Sequence, residues 1–316
     1  MTVGAAASIA ISLGAVTNAG DEVIAEVAPA FVGQFGGKGN VDKLREAFKQ
    51  LGFSGMEEVA LGADLCTIQE SEDFLEEVPE KIPFMGTSCC PAWSVMAKKE
   101  FPKNADCISM TLTARLIRKQ HPNAKIVFVG PCSAKKLEAM RESVRSEVDF
   151  VLTFEEMAGM MSAKQIDYTK LAGEGGDFDV ASADGRGFAV AGGVATAVAN
   201  AIHKRYPERE VKVANAEGLD ECRKLMKDAV KGKYDGYLLE GMACPGGCVA
   251  GAGTLTAVNK TAAAVKRYAK TSPRKNATEN AYRMLIPALE RDADGKHAAF
   301  AYALNFRGVH KLRSPL

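Results

Sequence analysis

The sequence has few histidines and no excess of charge of either sign. Only four His occur among 316 residues, and none lies within a cysteine-rich loop. A mixed Cys/His zinc site is therefore poorly supported. Lys and Arg total 40 and Asp and Glu total 39, so the charge balance gives no reason to expect nucleic acid or an anionic membrane surface as a partner.

The chain also lacks a long apolar run and the marks of an export signal. No run approaches the roughly 20 apolar residues of a membrane span. The apolar stretch Val3 to Val16 has no Lys or Arg before it, whereas a secretory signal begins with a basic region. We therefore expect a cytoplasmic protein with no membrane partner, and we interpret residues 1–22 as a segment suited to the end of an upstream module.

The eight cysteines of the chain are informative about its chemistry. Cytosolic thiols are held reduced, so metal or redox chemistry is a better use for clustered cysteines than disulfides. Cys66, Cys107 and Cys222 stand alone and are interpreted as small buried apolar residues. The other five occur in three loops: Thr87-Ser88-Cys89-Cys90-Pro91-Ala92-Trp93, Gly130-Pro131-Cys132-Ser133-Ala134-Lys135-Lys136 and Met242-Ala243-Cys244-Pro245-Gly246-Gly247-Cys248.

Strand-like and helix-like segments alternate along the chain, which predicts an α/β fold with largely parallel sheets flanked by helices. Helices are predicted at Val41 to Leu51, after the capping-box pattern that starts at Thr153, and at Phe188 to Ile202. We expect two lobes within residues 23–262 and a C-terminal tail, residues 263–316, wrapped over the core. The predicted strands are Val23 to Val27, Lys125 to Val129, Phe150 to Leu152, Val211 to Val213 and Tyr237 to Leu239.

Each cysteine loop follows a strand-like segment. Ligands of parallel sheets bind beyond the carboxyl ends of the strands, so the loops are expected to converge on one cleft between the lobes. Together they offer five thiols, and a cubane iron–sulfur cluster needs four. Alone, the Cys244/Cys248 loop could be only a glycine-rich turn with two buried cysteines. The fifth thiol, Cys89, sits beside a candidate ligand and is available to carry protons.

The three loops closely resemble the signature loops of [FeFe]-hydrogenases, the iron-only hydrogen enzymes. The resemblance runs from about Val23 to about Leu285 and includes Val27-Ala28-Pro29-Ala30 and Gly62-Ala63-Asp64-Leu65. It implies a [4Fe-4S] cluster joined through one thiolate to a two-iron subsite with CO, cyanide and dithiolate ligands. The implied cluster ligands are Cys90, Cys132, Cys244 and Cys248, with Cys248 as the bridge.

The resemblance also implies roles around the two-iron subsite. Cys89 matches the thiol that passes protons, and Ser109 matches a hydroxyl of the proton path. Lys135 matches the lysine that holds a cyanide, which fits the negative charge of that ligand. The other positions matched to the subsite are Ala28 and Pro29, around the second cyanide, and Met242, which lines the subsite.

Two path acids of the family lie three residues apart, and the sequence allows two alignments. Counting from Gly62 gives Glu70 and Asp73, which we prefer because both are acidic. Counting back from Cys89 gives Gln69 and Glu72. The spacing would put either pair on one helix face.

Other positions depart from the family pattern. Ala30 stands where Ser is frequent, Gly130 where Met is frequent, and Ala114 where Pro is usual. The third loop ends Gly251-Ala252-Gly253-Thr254 instead of the usual Gly-Gly-Gly-Gln. These changes indicate a divergent branch, and they bear on turnover more than on cofactor binding.

The first functional hypothesis is therefore a hydrogenase that interconverts protons and H₂. No ferredoxin-like cysteine clusters are found in the sequence, so electrons are expected from a separate ferredoxin-like or flavodoxin-like carrier. The resemblance also implies maturation proteins that make the two-iron subsite. The alternative is a non-catalytic relative, either an iron–sulfur assembly factor or a redox or H₂ sensor. A structural zinc protein is a weaker third hypothesis, because the loops are far apart.

Overall fold

The computed structural model describes residues 22–36, 41–107, 121–140, 148–173 and 181–285. Within them, all recorded strand pairs are parallel, and they form two sheets. The first sheet has four strands in the order β2-β1-β4-β5, and the second has three in the order β3-β7-β6. The strands are β1 Val23–Val27, β2 Gly55–Glu58, β3 Met85–Thr87, β4 Lys125–Gly130, β5 Phe150–Thr153, β6 Lys212–Glu217 and β7 Tyr237–Met242.

Helices connect and cover these strands, as parallel pairing requires. The α-helices are α1 Val41–Leu51, α2 Val59–Glu77, α3 Pro91–Glu100, α4 Ala134–Ala139, α5 Phe154–Ala163, α6 Ala183–Gly187, α7 Gly193–Arg205, α8 Leu219–Ala229 and α9 Val258–Thr271. Short 3₁₀ segments occur at Pro29–Phe31, Pro102–Cys107, Tyr168–Lys170, Cys248–Ala250, Ala277–Glu279 and Ala281–Leu285. The predicted α/β architecture with parallel sheets is confirmed.

Each sheet has its own apolar core. Around the first sheet, the packed side chains include Phe31, Phe48 and Leu152. Around the second, they include Trp93 and Leu239. Two sheets with two cores form the two lobes expected from the sequence, and the loops at the carboxyl ends of their strands meet between them.

Several local predictions are confirmed. Strand β1 and helix α1 have the predicted bounds. The capping box at α5 is present, because Thr153 Oγ1 accepts from the Glu156 N–H and Glu156 accepts from the Thr153 N–H. The solitary cysteines Cys66, Cys107 and Cys222 are all buried.

The helix predicted from Phe188 to Ile202 is wrong in its first part. Helix α7 begins only at Gly193, because Gly192 adopts a φ of 82° and breaks the regular helical path. An Ala- and Gly-rich composition permits both helix and turn, and the sequence pattern did not separate them. Residues 188–192 instead form the turn whose backbone faces the third cysteine loop, with Ala191 N donating to Gly246 O.

The polar C-terminal region contains more regular structure than a tail. Helix α9 runs across the predicted boundary between residues 262 and 263, and its Val265 and Ala269 side chains are buried. Its cationic side chains Lys266, Arg267 and Lys270 are exposed, as expected for a solvated helix face. Among the described helices, none is both long enough and apolar enough to cross a bilayer.

Candidate functional site

A cavity of about 1050 Å³, counted out to its mouth, lies where the three cysteine loops meet. It is lined by residues that follow β1, β3, β4 and β7, so both sheets contribute to it. The structure thereby brings together most of the side chains predicted for the site. Those that line the cavity are Ala28, Pro29, Cys89, Cys90, Cys132, Lys135, Met242, Cys244 and Cys248.

The thiols of the three loops lie close enough to affect one another's pKa values. Cys89 Sγ and Cys248 Sγ lie 3.9 Å apart, and the Ala243 N–H donates to Cys90 Sγ over 3.4 Å. Burial raises the pKa of Cys90, with further increases from neighbouring thiols. The same two causes, in the same order, raise the pKa of Cys244. Partly buried sulfurs that would repel one another as thiolates are a donor set whose negative charge bound iron ions would compensate.

The third loop reaches this arrangement through two glycines with left-handed backbone. Gly246 has a φ of 97° and Gly247 a φ of 90°, conformations that only glycine adopts without strain. A Cβ on Gly247 would lie 2.5 Å from the Ala191 nitrogen. The chain therefore bends between Cys244 and Cys248, and the close approach of two backbone segments requires Gly247.

Lys135 is the cation beside these thiols. Its ammonium donates to Glu138 Oε2 over 2.6 Å, and the two side chains are 18% and 6% exposed. Burial alone would lower the pKa of Lys135, but Glu138 and then Cys89 outweigh burial and raise it. Cys89 accepts a hydrogen bond from Cys248, which lowers its pKa, and Lys135 lowers it further against the opposing effect of burial. Lys135 is thus a cationic group inside the cavity.

The Phe128 ring lies beside both Lys135 and Gly130. A Cβ at Gly130 would lie 2.4 Å from Phe128 Cε1 and 3.3 Å from Ala28 Cβ. The Phe128 ring therefore occupies the space that a larger residue at position 130 would enter. Met242, also predicted to line the site, is 2% exposed and lies 3.7 Å from Ser88 Oγ through its sulfur.

The predicted proton-path acids lie behind the thiols, on α2. Glu70 is 1% exposed and accepts a hydrogen bond of 2.5 Å from Thr87 Oγ1, but it does not line the cavity. The pKa of Asp73 is raised to about 7, mainly by burial, with a hydrogen bond from Gln69 lowering it and Glu70 raising it. Glu72 is half exposed and pairs with Arg205. Ser109 lies outside the described residues.

Three buried acids escaped the sequence analysis. Glu138 pairs with Lys135, and Glu240 accepts from the Gly192 and Ala195 N–H groups at the start of α7. Burial raises the pKa of Glu240 to about 7. Glu26 on β1 lines the cavity and is 2% exposed. Two of them could have been found from the sequence, because Glu26 and Glu240 are charged residues inside otherwise apolar strands.

The cavity is not a ready-made site for a single ion. Within the described part of the chain, no three His, Cys, Asp or Glu side chains lie close enough together to bind one metal ion. The thiols line the wall of a larger space instead. Such an arrangement suits a multinuclear group better than a mononuclear zinc site, which needs about four donors around one ion.

The chain matches one protein family over most of its length. The profile of "Iron only hydrogenase large subunit, C-terminal domain" matches residues 21–252. This match includes all three cysteine loops.

Individual relatives cover different parts of the chain. The NADP-reducing hydrogenase subunit HndD of Solidesulfovibrio fructosivorans is 27% identical over 299 residues, which cover 76% of this chain and 51% of that protein. The chain thus spans about half the length of that relative. The cytosolic Fe-S cluster assembly factor NAR1 of Debaryomyces hansenii is 31% identical over 142 residues, covering 38% of this chain and 26% of that protein.

The fold is similar to that of solved hydrogenase structures. A structure of a variant of the [FeFe]-hydrogenase HydA1 from Chlamydomonas reinhardtii is matched with a TM-score of 0.73 at 20% sequence identity. The match covers 94% of this chain and 97% of that chain. At this identity the likeness concerns the fold.

Proposed function

Since the chain belongs to the iron-only hydrogenase family defined by the C-terminal domain of the large subunit, we propose that it is an [FeFe]-hydrogenase. The proposed reaction is the reversible reduction of two protons by two electrons to one H₂. One observation carries this proposal beyond family membership. Cys89 and Lys135 line the same cavity as four further thiols, and an iron–sulfur cluster used only for electron storage needs neither of them.

The proposed cofactor is a [4Fe-4S] cluster joined to a two-iron subsite with CO, cyanide and dithiolate ligands. Cys90, Cys132, Cys244 and Cys248 would hold it, with Cys248 as the bridging ligand. The fit is supported by the convergence of these thiols on one cavity. When bound, this group supplies an iron centre at which protons and electrons combine.

The protein's own groups would bind and orient that cofactor and deliver protons. Lys135 offers its ammonium to an anionic ligand while Glu138 keeps it in place at 2.6 Å. Pro29, Ala28 and Met242 supply an apolar wall that excludes water. These contacts favour a group that is anionic on one side and apolar on the other.

Cys89 would carry the proton at its Sγ. Behind it, Glu240 affects the pKa of Cys89, and Glu70 affects that of Glu240. Asp73 is the next acid in this group of interacting carboxyl groups, because Glu70 raises its pKa. We propose that protons pass along Ser109, Glu70 and Asp73. The burial of Glu70 supports this choice over Gln69 and Glu72.

The electron donor would be a ferredoxin-like or flavodoxin-like carrier in the cytoplasm, and dedicated maturation proteins would supply the two-iron subsite. We also propose the domain division 1–22, 23–262 and 263–316, in which helix α9 joins the last two parts across their boundary. Residues 23–262 contain all the proposed ligands.

The test is H₂ evolution from reduced viologen after anaerobic cluster reconstitution and loading with a synthetic two-iron precursor. Activity that requires the precursor supports the proposal. A matched pair of variants sharpens the test: Cys89→Ala should retain the cofactor and lose most H₂ activity, whereas Cys66→Ala removes a buried thiol outside the cavity and should retain activity. Equal activity in both variants would remove Cys89 from the proton path.

A second experiment tests whether Cys248 is the ligand that joins the [4Fe-4S] cluster to the two-iron subsite. Cys248→Ala should abolish retention of the two-iron group, detected by its infrared bands, because one ligand would then be missing. Persistence of these bands in Cys248→Ala would refute the bridging assignment.

A non-catalytic role is the second candidate. The partial likeness to an assembly factor and the departures at Ala30 and Gly130 favour it. Such a protein, whether an assembly factor or a redox or H₂ sensor, would acquire a full cubane but evolve no H₂ after loading. The same viologen assay therefore separates the two functions.

A further inference from the structure

An acidic residue with no assigned role lies on the cavity wall. Glu26 interrupts the apolar strand Val-Ile-Ala-Glu-Val of β1. It lines the cavity and is 2% exposed. Acids are rarely so completely buried unless they are paired, so its retention in a core strand needs a physical reason.

The hydrogen bonds of Glu26 are incomplete. Its Oε2 atom is inaccessible to solvent and has no hydrogen-bond partner among the described residues. The cation that acts on Glu26 is Lys135, and this ammonium is already hydrogen-bonded to Glu138 Oε2 at 2.6 Å. An ionised carboxylate here would be buried without its own counter-ion, which is costly.

The surroundings favour a neutral carboxylic acid. Burial raises the pKa of Glu26 to about 8, with Lys135 lowering it and Glu138 raising it. From β4, the register partner of Glu26 is the apolar Phe128. From β2, the register partner is Glu57, which does not line the cavity. A neutral carboxyl group has one O–H to donate.

Glu26 lies among the residues that line the cavity. Glu26 on β1 and Ala28, which directly follows the strand, both line the cavity, as expected for side chains two residues apart in extended backbone. Phe128, beside Glu26, lies 5.7 Å from Lys135 Nζ, measured to the ring centroid. The neighbouring lining residues Pro29 and Ala30 offer no side-chain donor. Among the lining residues Glu26, Ala28, Pro29 and Ala30, Glu26 is therefore the one that offers a side-chain donor.

We propose that Glu26 donates a hydrogen bond from its protonated carboxyl group to an anionic diatomic ligand of the bound cofactor. Glu26 would then complement Lys135, with one neutral donor and one cation on the first-sheet side of the cavity. The inference rests on the proposed function, and it assigns a cofactor-binding role to a residue outside the three cysteine loops.

The test uses infrared spectra of protein loaded with the synthetic two-iron precursor. Glu26→Met removes the donor at similar length, and Glu26→Gln retains a donor that cannot ionise. Glu57→Gln is the control, because it neutralises the half-buried acid on the neighbouring strand, outside the cavity. We expect the cyanide or CO stretching bands to shift in Glu26→Met and to shift less in Glu26→Gln. Transfer to D₂O should move the bands less in Glu26→Met than in the wild type, because Lys135 remains there as an exchangeable donor.

Bands that are identical in the wild type and Glu26→Met would overturn the proposal, as would an equal shift in Glu57→Gln. A cofactor-free measurement separates this failure from failure of the proposed function. The infrared difference between wild type and Glu26→Gln at neutral pH should contain the C=O band of a protonated carboxyl group that moves in D₂O. A carboxylate band in its place would overturn the proposal even if the enzyme is active. Failure to take up the precursor would overturn the donor role together with the proposed function, although the carboxyl band would remain.

Discussion

Replacement of Glu26 by Gln should change how the stability of the protein depends on pH. In the unfolded chain this carboxyl group has its ordinary pKa of 4.5, whereas burial raises the folded value to about 8. Between these values the folded state holds a proton that the unfolded state has released. The free energy of unfolding therefore falls as pH rises through this window. Gln has no such proton, so Glu26→Gln removes this part of the pH dependence.

The magnitude follows from the two pKa values. At about 1.4 kcal/mol for each tenfold change in proton affinity, the interval from 4.5 to about 8 corresponds to an upper bound of about 5 kcal/mol. Relaxation and water entry reduce the cost of a buried charge, so we expect about 2 kcal/mol. The contribution is fully present below about pH 4.5 and is lost progressively up to about pH 8.

The assay is urea denaturation of the cofactor-free protein under anaerobic, reducing conditions from about pH 5 to about pH 8.5. The stability difference between Glu26→Gln and wild type should shift in favour of the variant by about 2 kcal/mol across this range. Glu208→Gln is the control, because Glu208 is an exposed acid and its replacement should leave the pH dependence unchanged. A constant difference between Glu26→Gln and wild type at all pH values would refute the reasoning, since Glu26 would then ionise equally in both states.

Three further predictions concern packing and can be measured by the same denaturation assay at one pH. Gly241→Ala should cost about 1–3 kcal/mol, because its Cβ would lie 2.0 Å from Nε1 of the buried Trp93; unchanged stability would contradict this close contact. Gly159→Ala in α5 should instead stabilise by about 0.5–1 kcal/mol, since nothing lies within 4 Å of that Cβ, and a loss would show a hidden clash. Arg186→Met should cost about 3–5 kcal/mol, because it leaves the buried Glu58 without the partner that lies 2.8 Å away; a loss below about 1 kcal/mol, typical of an exposed pair, would contradict this view.

Sequence reasoning predicted the parallel α/β architecture well because strands such as β1 and helices such as α1 have strong local patterns. It failed where composition is ambiguous. The turn at residues 188–192 is rich in Ala and Gly, and only packing against the third cysteine loop separates it from α7. The sequence allowed two alignments of the proton-path acids that differ by one residue, Glu70 with Asp73 or Gln69 with Glu72. Glu70 is buried and accepts from Thr87 of a different element, whereas Glu72 is half exposed, and this long-range contact cannot be read from the sequence.

The chemistry of the site was determined by the sequence itself. Five thiols in three loops, a lysine three residues after Cys132 and the Pro-Gly-Gly bend all depend on residue type and spacing, which are read directly from the chain. The tertiary structure decided which further groups share the cavity. Glu26 lies about a hundred residues from Lys135 and Glu138, and parallel pairing of β1 with β4 brings them to one wall. Burial, pairing and protonation depend on that long-range packing, because desolvation arises from neighbours that are distant in sequence.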